Sequence, residues 1–163
     1  MDTNDAVSRS IYDITTFGEI LIDFTPQNIN EDGQMLYARN PGGAPANVAV
    51  AASRLGAYTA FIGKAGEDMH GEFLRSVLEK ENVDIKGMLL DKKYFTTLAF
   101  VEVNEAGERT FSFARKPGAD TKIQKLETEK RHKICRSHQT GAATIFNVVF
   151  YFHLCNFSQR QPV

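Results

Sequence analysis

A Pro-Gly-Gly break that runs straight into a segment of small residues constrains this chain more than any other feature of it. Pro41-Gly42-Gly43 interrupts an extended pattern, residues 44–55 follow as a helix of alanine and branched side chains, and Gly56 closes it. Pro45 suits a first helical turn because the N–H it lacks would be unpaired there, and Gly56 suits the left-handed position just past a helix end. A loop that delivers the chain directly into a helix of this kind needs a strand on either side.

The flanks supply them. Residues 14–24 are apolar and β-branched, divided by Gly18 and Glu19, and read as a buried strand that runs to a polar end at Asp23. Residues 34–39 form a short candidate strand and 58–63 the next. Residues 69–80 read as an amphipathic helix with Phe73, Val77 and Leu78 at core spacing. Residues 96–104 and 109–115 alternate Leu98, Phe100, Val103, Phe111 and Phe113 around Glu105-Ala106-Gly107-Glu108, a hairpin pattern. Strand, helix, strand, helix implies an α/β sheet.

Composition narrows the partners. The chain has 163 residues, enough for one domain, with Lys+Arg 19 against Asp+Glu 20, so no basic field draws it to nucleic acid or anionic lipid. The longest apolar stretch, 142–154, is broken by Asn147 and His153 and falls short of the ~20 residues that cross a bilayer. Cys135 and Cys155 both lie late and the start is polar, so a cytoplasmic protein without a membrane partner is expected. From Thr121 the texture turns basic at Lys122, Lys125, Lys130, Arg131, Lys133 and Arg136, then aromatic around Phe150. Residues 1–120 and 121–163 are therefore expected to differ in kind, the second being a divergent tail, frameshifted or disordered. His132, Cys135 and His138 could share a helical face as zinc ligands, but their spacing matches no zinc module and solvated tail residues are the plainer account.

Gly42 and Gly43 let backbone touch a ligand because no Cβ intervenes, and Asn47 in the following turn offers a donor and an acceptor to vicinal hydroxyls. Taken alone, the same residues are equally a tight turn and a helix-start residue. Gly63-Lys64-Ala65 is not a phosphate-binding P-loop, since Tyr58 stands where the first glycine belongs. No Gly-x-Gly-x-x-Gly follows the first strand, which argues against a dinucleotide site.

The segment GGAPANVAVAASRLG followed by AFIGKAGEDMHG resembles the first signature of the PfkB, or ribokinase-like, family of carbohydrate kinases. FGEILIDF and TLAFVEVNEAGERTFSFARKPGAD resemble its fructokinase branch, and the likeness spans about residues 12–120. The resemblance implies a ribokinase-like α/β fold, with a central mostly parallel sheet, flanking helices and a small β-lid formed by the hairpin. It implies ATP-dependent phosphorylation of a sugar, D-fructose to fructose 6-phosphate, with ATP and Mg²⁺ as cofactors and a homodimer made through the lid. Asp23, Gly42, Gly43 and Asn47 match the family's sugar-binding positions. Arg115 matches an arginine near the sugar, with Phe113 packing beside it, although a solvated strand-end charge and an ordinary aromatic are equal readings.

The family's catalytic aspartate, anion hole, nucleotide segment and metal-organising motif belong to a later half with no counterpart after Asp120. The resemblance therefore implies a truncated sugar-binding half, inactive alone, with no catalytic residue of its own. A noncatalytic sugar-binding or dimerising module stays open beside it, as do 2-keto-3-deoxygluconate, ribose and aminoimidazole riboside as substrates.

Overall fold

The structure, a computed structural model, describes residues 12–104, 106–127 and 130. In chain order these form β1 (Ile14–Phe17), β2 (Leu21–Ile29), β3 (Met35–Gly42), α1 (Ala44–Arg54), β4 (Thr59–Gly66), α2 (Met69–Lys80), β5 (Asp84–Asp91), β6 (Leu98–Val103), β7 (Arg109–Ala114) and a 3₁₀ turn, Ala119–Lys122. The strands make two sheets, a three-stranded parallel one in the order β1-β4-β5 and a four-stranded one in the order β3-β2-β6-β7. In the second, β2 and β6 run parallel while β2–β3 and β6–β7 are antiparallel hairpins.

β4 is buried at every position, as befits the middle strand of a parallel sheet covered on both faces. Its small residues let α1 come close through Ala46 and Ala49, which join Ile20, Ile22, Phe61, Leu74 and Leu78 in the main core. α2 starts directly over the end of β4: a Cβ on Gly71 would stand 1.9 Å from the Gly66 carbonyl oxygen. Asp68 caps it, its Oδ1 accepting from the backbone N–H groups of His70 and Gly71 at 3.0 and 2.9 Å. The same carboxylate accepts from the N–H and hydroxyl of Thr96, both at 2.8 Å, so one side chain fastens α2 to the approach to β6. Burial by itself would raise the Asp68 carboxyl, but these hydrogen bonds prevail and hold it below the usual carboxylate range.

Several expectations need correction. The single strand expected over 14–24 is two strands in different sheets, because positive φ at Gly18 turns the chain out of one and into the other. Asp23 is accordingly the third residue of β2 rather than a strand end. Pro41 and Gly42 complete β3 instead of breaking it; β3 is an edge strand, where proline is tolerated. β5 is an element the sequence pattern does not announce, since DIKGMLLD carries the charged residues Asp84, Lys86 and Asp91 and shows no clean alternation. α1, α2 and the hairpin formed by β6 and β7 lie where the pattern puts them. The α2 contact face is Gly71, Leu74 and Leu78, with Phe73 half-buried against it.

Lys64 is a buried cation on β4, only 4% exposed, and its ammonium donates to Asp91 at 3.1 Å, Glu127 at 2.9 Å and the Lys122 carbonyl at 3.2 Å. Burial would depress it, but the bonds to Glu127 and Asp91 outweigh that and push it above the ordinary lysine value. The boundary expected at residue 120 falls inside the 3₁₀ turn, and Lys64 reaches across it to Glu127. No helix among the described residues is long and apolar enough to cross a membrane. His132, Cys135, His138 and the apolar stretch 142–154 lie outside the described residues.

Candidate functional site

Strand register places Asp23 in a row. It pairs with Asn40 on β3 and Ala99 on β6, and Ala99 pairs in turn with Phe113 on β7, so the four side chains share one face of the sheet. The opposite face carries Ile22, Phe24 and Phe100 and packs toward α2: Phe24 stacks on Phe100 at 5.2 Å and meets the His70 ring edge-on at 5.8 Å, while the Arg39 guanidinium lies 4.0 Å over Phe73. The sheet is thus held on α2 by its apolar face and presents Asp23 on the other.

Gly42, one register step from Asn40 on β3, leaves room for that carboxylate; a Cβ there would stand 2.3 Å from Asp23 Oδ2. Asp23 is half-buried and accepts no hydrogen bond among the described residues, whereas its row neighbour Asn40 is committed to Thr25 Oγ1 at 2.8 Å. Burial, then the nearby negative charge of Glu19, pushes the Asp23 carboxyl up to about 6. A half-buried carboxylate given no donor is poised to accept hydrogen bonds from the hydroxyls of a bound polyol.

The turn from β3 into α1 leans on the link between β1 and β2. Gly43 adopts φ 107°, and a Cβ there would lie 2.5 Å from the Glu19 carbonyl oxygen, so both conformation and space require glycine. Asn47 sits in the first turn of α1, its N–H bonded to the Gly43 carbonyl at 2.9 Å. Its side chain is exposed and makes no hydrogen bond among the described residues. Gly42, Gly43 and Asn47 therefore come together with Asp23 around one loop.

Arg115 follows β7 and returns to the same place. Its Nη2 donates to Glu19 Oε2 at 3.3 Å and to Asp120 Oδ2 at short range. The Asp120 side chain is 1% exposed, and its Oδ1 accepts from the Thr97 hydroxyl at 2.6 Å. Thr97 in turn accepts the Ile22 N–H at its carbonyl, 3.1 Å away. Each passage of the chain between the two parts of the fold thus meets here: the β1–β2 link through Glu19, the β3–α1 turn through Gly43, the approach to β6 through Thr97 and the exit from β7 through Arg115. Sequence reasoning missed Glu19 and Asp120. The signal was present in Arg115-Lys-Pro-Gly-Ala-Asp120, a cation and an anion joined by a turn, with Gly118 placed where a Cβ would lie 1.8 Å from Thr97 Oγ1.

This cluster does not suit Mg²⁺. Glu19 and Asp120 both face the Arg115 cation, Asp23 alone is uncommitted, and a divalent ion needs several free oxygens. Among the described residues no group of three or more His, Cys, Asp or Glu side chains could hold a metal.

Comparison with known proteins gives a consistent answer. Residues 12–142 match the family described as pfkB family carbohydrate kinase. The chain is 49% identical over 111 residues to Probable fructokinase-2 of Arabidopsis thaliana, a match covering 66% of this chain and 33% of that protein. Fructokinase with bound ATP from Xylella fastidiosa superposes with TM-score 0.64 at 40% identity, over 70% of this chain and 34% of the other. Fructokinase from Vibrio cholerae O395 in its fructose, ADP and calcium ion bound form superposes with TM-score 0.62 at 37% identity, over 70% and 35% respectively. The chain spans about a third of the length of the relatives it matches.

Proposed function

Because the chain belongs to the pfkB family of carbohydrate kinases, with their ribokinase-like α/β fold, we propose that it provides the sugar-binding part of an ATP-dependent sugar kinase whose reaction is D-fructose to fructose 6-phosphate. By family it is a phosphotransferase. The observation that carries the reading is Asp23: a half-buried carboxylate without a donor, against a glycine whose missing side chain makes room for it. Gly42, Gly43 and Asn47 shape the rim of the same site, and Arg115 stands at its base. Residues 12–120 are assigned this role, with 121–163 a region of different character, and cytosolic residence belongs to the same proposal.

The sugar is read from the relatives, one of which is described with fructose bound and another with ATP. Since the described residues do not suit Mg²⁺, ATP and its metal are assigned to parts of the kinase fold beyond this cluster. Calorimetric titration of the chain with D-fructose tests the reading. Binding that Asp23→Ala abolishes supports it; binding unaffected by that change, or no binding at all, overturns it. ATP-dependent phosphorylation of fructose by the chain, expected to be nil, would show if found that a base has gone unrecognised.

A second reading has its own observation. Phe111 and Phe113 are 42% and 46% exposed, stack at 6.3 Å and share the Asp23 face, while Val103 at the hairpin end is 50% exposed. We infer a homodimer through this lid face. Size-exclusion chromatography with light scattering should give twice the monomer mass, falling to the monomer with Phe111→Ser plus Phe113→Ser; a monomeric parent chain overturns this.

A further inference from the structure

We propose that Asp120 is a positioning residue for the sugar site: fixed by Thr97, it holds the Arg115 guanidinium at the base of the lid so that the remaining donors of that guanidinium face a sugar oxygen beside Asp23. The inference rests on the reading of Asp23 as the sugar carboxylate.

The geometry supports it link by link. Asp120 lies in the 3₁₀ turn after the lid, is almost fully buried, and divides its carboxylate between two partners, Oδ1 toward Thr97 and Oδ2 toward Arg115. Thr97 is held from two sides, its carbonyl accepting from the Ile22 N–H of the adjoining strand and its hydroxyl lying so close to Gly118 that a Cβ there would stand 1.8 Å away. Arg115 donates through Nη2 to both Asp120 and Glu19, the first in the 3₁₀ turn after β7 and the second in the link between β1 and β2. Its Nε is buried with no hydrogen-bond partner, and a side chain free to choose would not leave that donor unpaired. The two carboxylates therefore draw the guanidinium into a position it would not take by itself. Nη1 makes no hydrogen bond among the described residues and the side chain is 30% exposed, so donors remain for a ligand.

Asp23 and Arg115 then offer complementary functions on either side of the β3–α1 turn: Gly42 lies against the Asp23 carboxylate, Gly43 against the Glu19 backbone, and the Glu19 side chain touches Arg115. Asp23 accepts from sugar hydroxyls while Arg115 donates to a sugar oxygen, an arrangement that suits a polyol with adjacent oxygens of both roles. Asp120 acts through Arg115 and does not touch the sugar.

A double-mutant cycle on the full chain, read by titration with D-fructose, tests this. Asp120→Asn keeps the shape and the bond to Thr97 but removes the charge, and should weaken fructose binding at least about tenfold. Arg115→Ala should weaken it comparably, and adding Asp120→Asn to Arg115→Ala should weaken it no further. Thr97→Val, which frees Asp120 while leaving both charges, should give a smaller loss in the same direction and serves if Asp120→Asn does not fold. The Arg115 Nε–H resonance should exchange slowly with solvent in the parent and rapidly in Asp120→Asn. Losses that multiply in the double variant, or an unchanged fructose affinity in Asp120→Asn and Thr97→Val, overturn the positioning role while leaving the sugar site intact. Absence of fructose binding by the parent chain overturns both.

Discussion

Replacing Asp23 by asparagine should make the protein more stable and unable to bind sugar. Folding moves the carboxyl from an ordinary value of 3.8 to about 6, the charged form being disfavoured by burial and by Glu19. That shift of roughly 2 units corresponds to about 3 kcal/mol of destabilisation once the group is fully ionised. Asp23 is only half-buried, so solvent screening reduces the figure to about 1–2 kcal/mol. The sign follows from the direction: below 3.8 the carboxyl is protonated in both folded and unfolded chains, stability falls as pH rises between 3.8 and about 6, and above that the penalty is constant. The Asp23→Asn variant would carry no such penalty, and the carboxylate it lacks has no hydrogen bond to lose among the described residues. Thermal melts of both proteins from pH 4 to pH 8 should show a small advantage for the variant at the acid end, growing to roughly 3–8 °C near neutrality. Saturating D-fructose should raise the melting point of the parent and leave the variant unmoved. An advantage that does not change with pH, or a variant less stable than the parent at neutral pH, would refute the account of Asp23 as a carboxylate kept charged at the expense of the fold.

Gly42→Ala and Gly43→Ala should separate binding from folding: the first pushes on the movable ends of two side chains, the Asp23 carboxylate and Leu21 Cδ1, and should weaken fructose binding with a smaller change in melting point than the second. The second forces a side chain into positive φ and against the Glu19 backbone, and should cost at least about 2 kcal/mol in chemical denaturation. Lys64→Met leaves Asp91 and Glu127 without their cation and should cost about 2–3 kcal/mol, somewhat under the range for fully buried pairs because Glu127 is 33% exposed. Asp68→Ala removes a cap and the tie to Thr96, so it should lower stability by about 2 kcal/mol at neutral pH. Because folding lowers the Asp68 carboxyl, that difference should shrink as pH falls below 3.8, which melts of both proteins at acid pH would show.

Both helices and the β6–β7 hairpin were legible because their signals are local: glycine and proline at the ends of α1, periodicity in α2, alternation around a glycine turn in the hairpin. The division of 14–24 between two sheets was not, since the flanking strands look alike in sequence and only the pairing of β1 with β4 and of β2 with β3 and β6 tells them apart. β5 hid for a related reason: one edge of it is paired and its residues are mostly half-buried, so no clean pattern marks it. At the site, Asp23, Gly42, Gly43, Asn47 and Arg115 could be named from the motif, and the fold brings all of them to one loop system. Glu19 and Asp120 could not be named, because their importance lies in meeting Arg115 across 96 and 5 residues, a relation that spacing alone does not express.

The ion group around Lys64 also sets an order of events during synthesis. Its ammonium is shared between Asp91, 27 residues later, and Glu127, 63 residues later. At translation speeds of about 5–20 residues per second, Glu127 is made roughly 3–13 s after Lys64. Until Asp91 is made that cation has neither anion, and from then until Glu127 it has one, so the nascent parallel sheet must either wait, partly open, or close around a charge not fully neutralised. Slowing or arresting the ribosome just before residue 127 should therefore leave a chain more exposed to proteases than one released a few residues later.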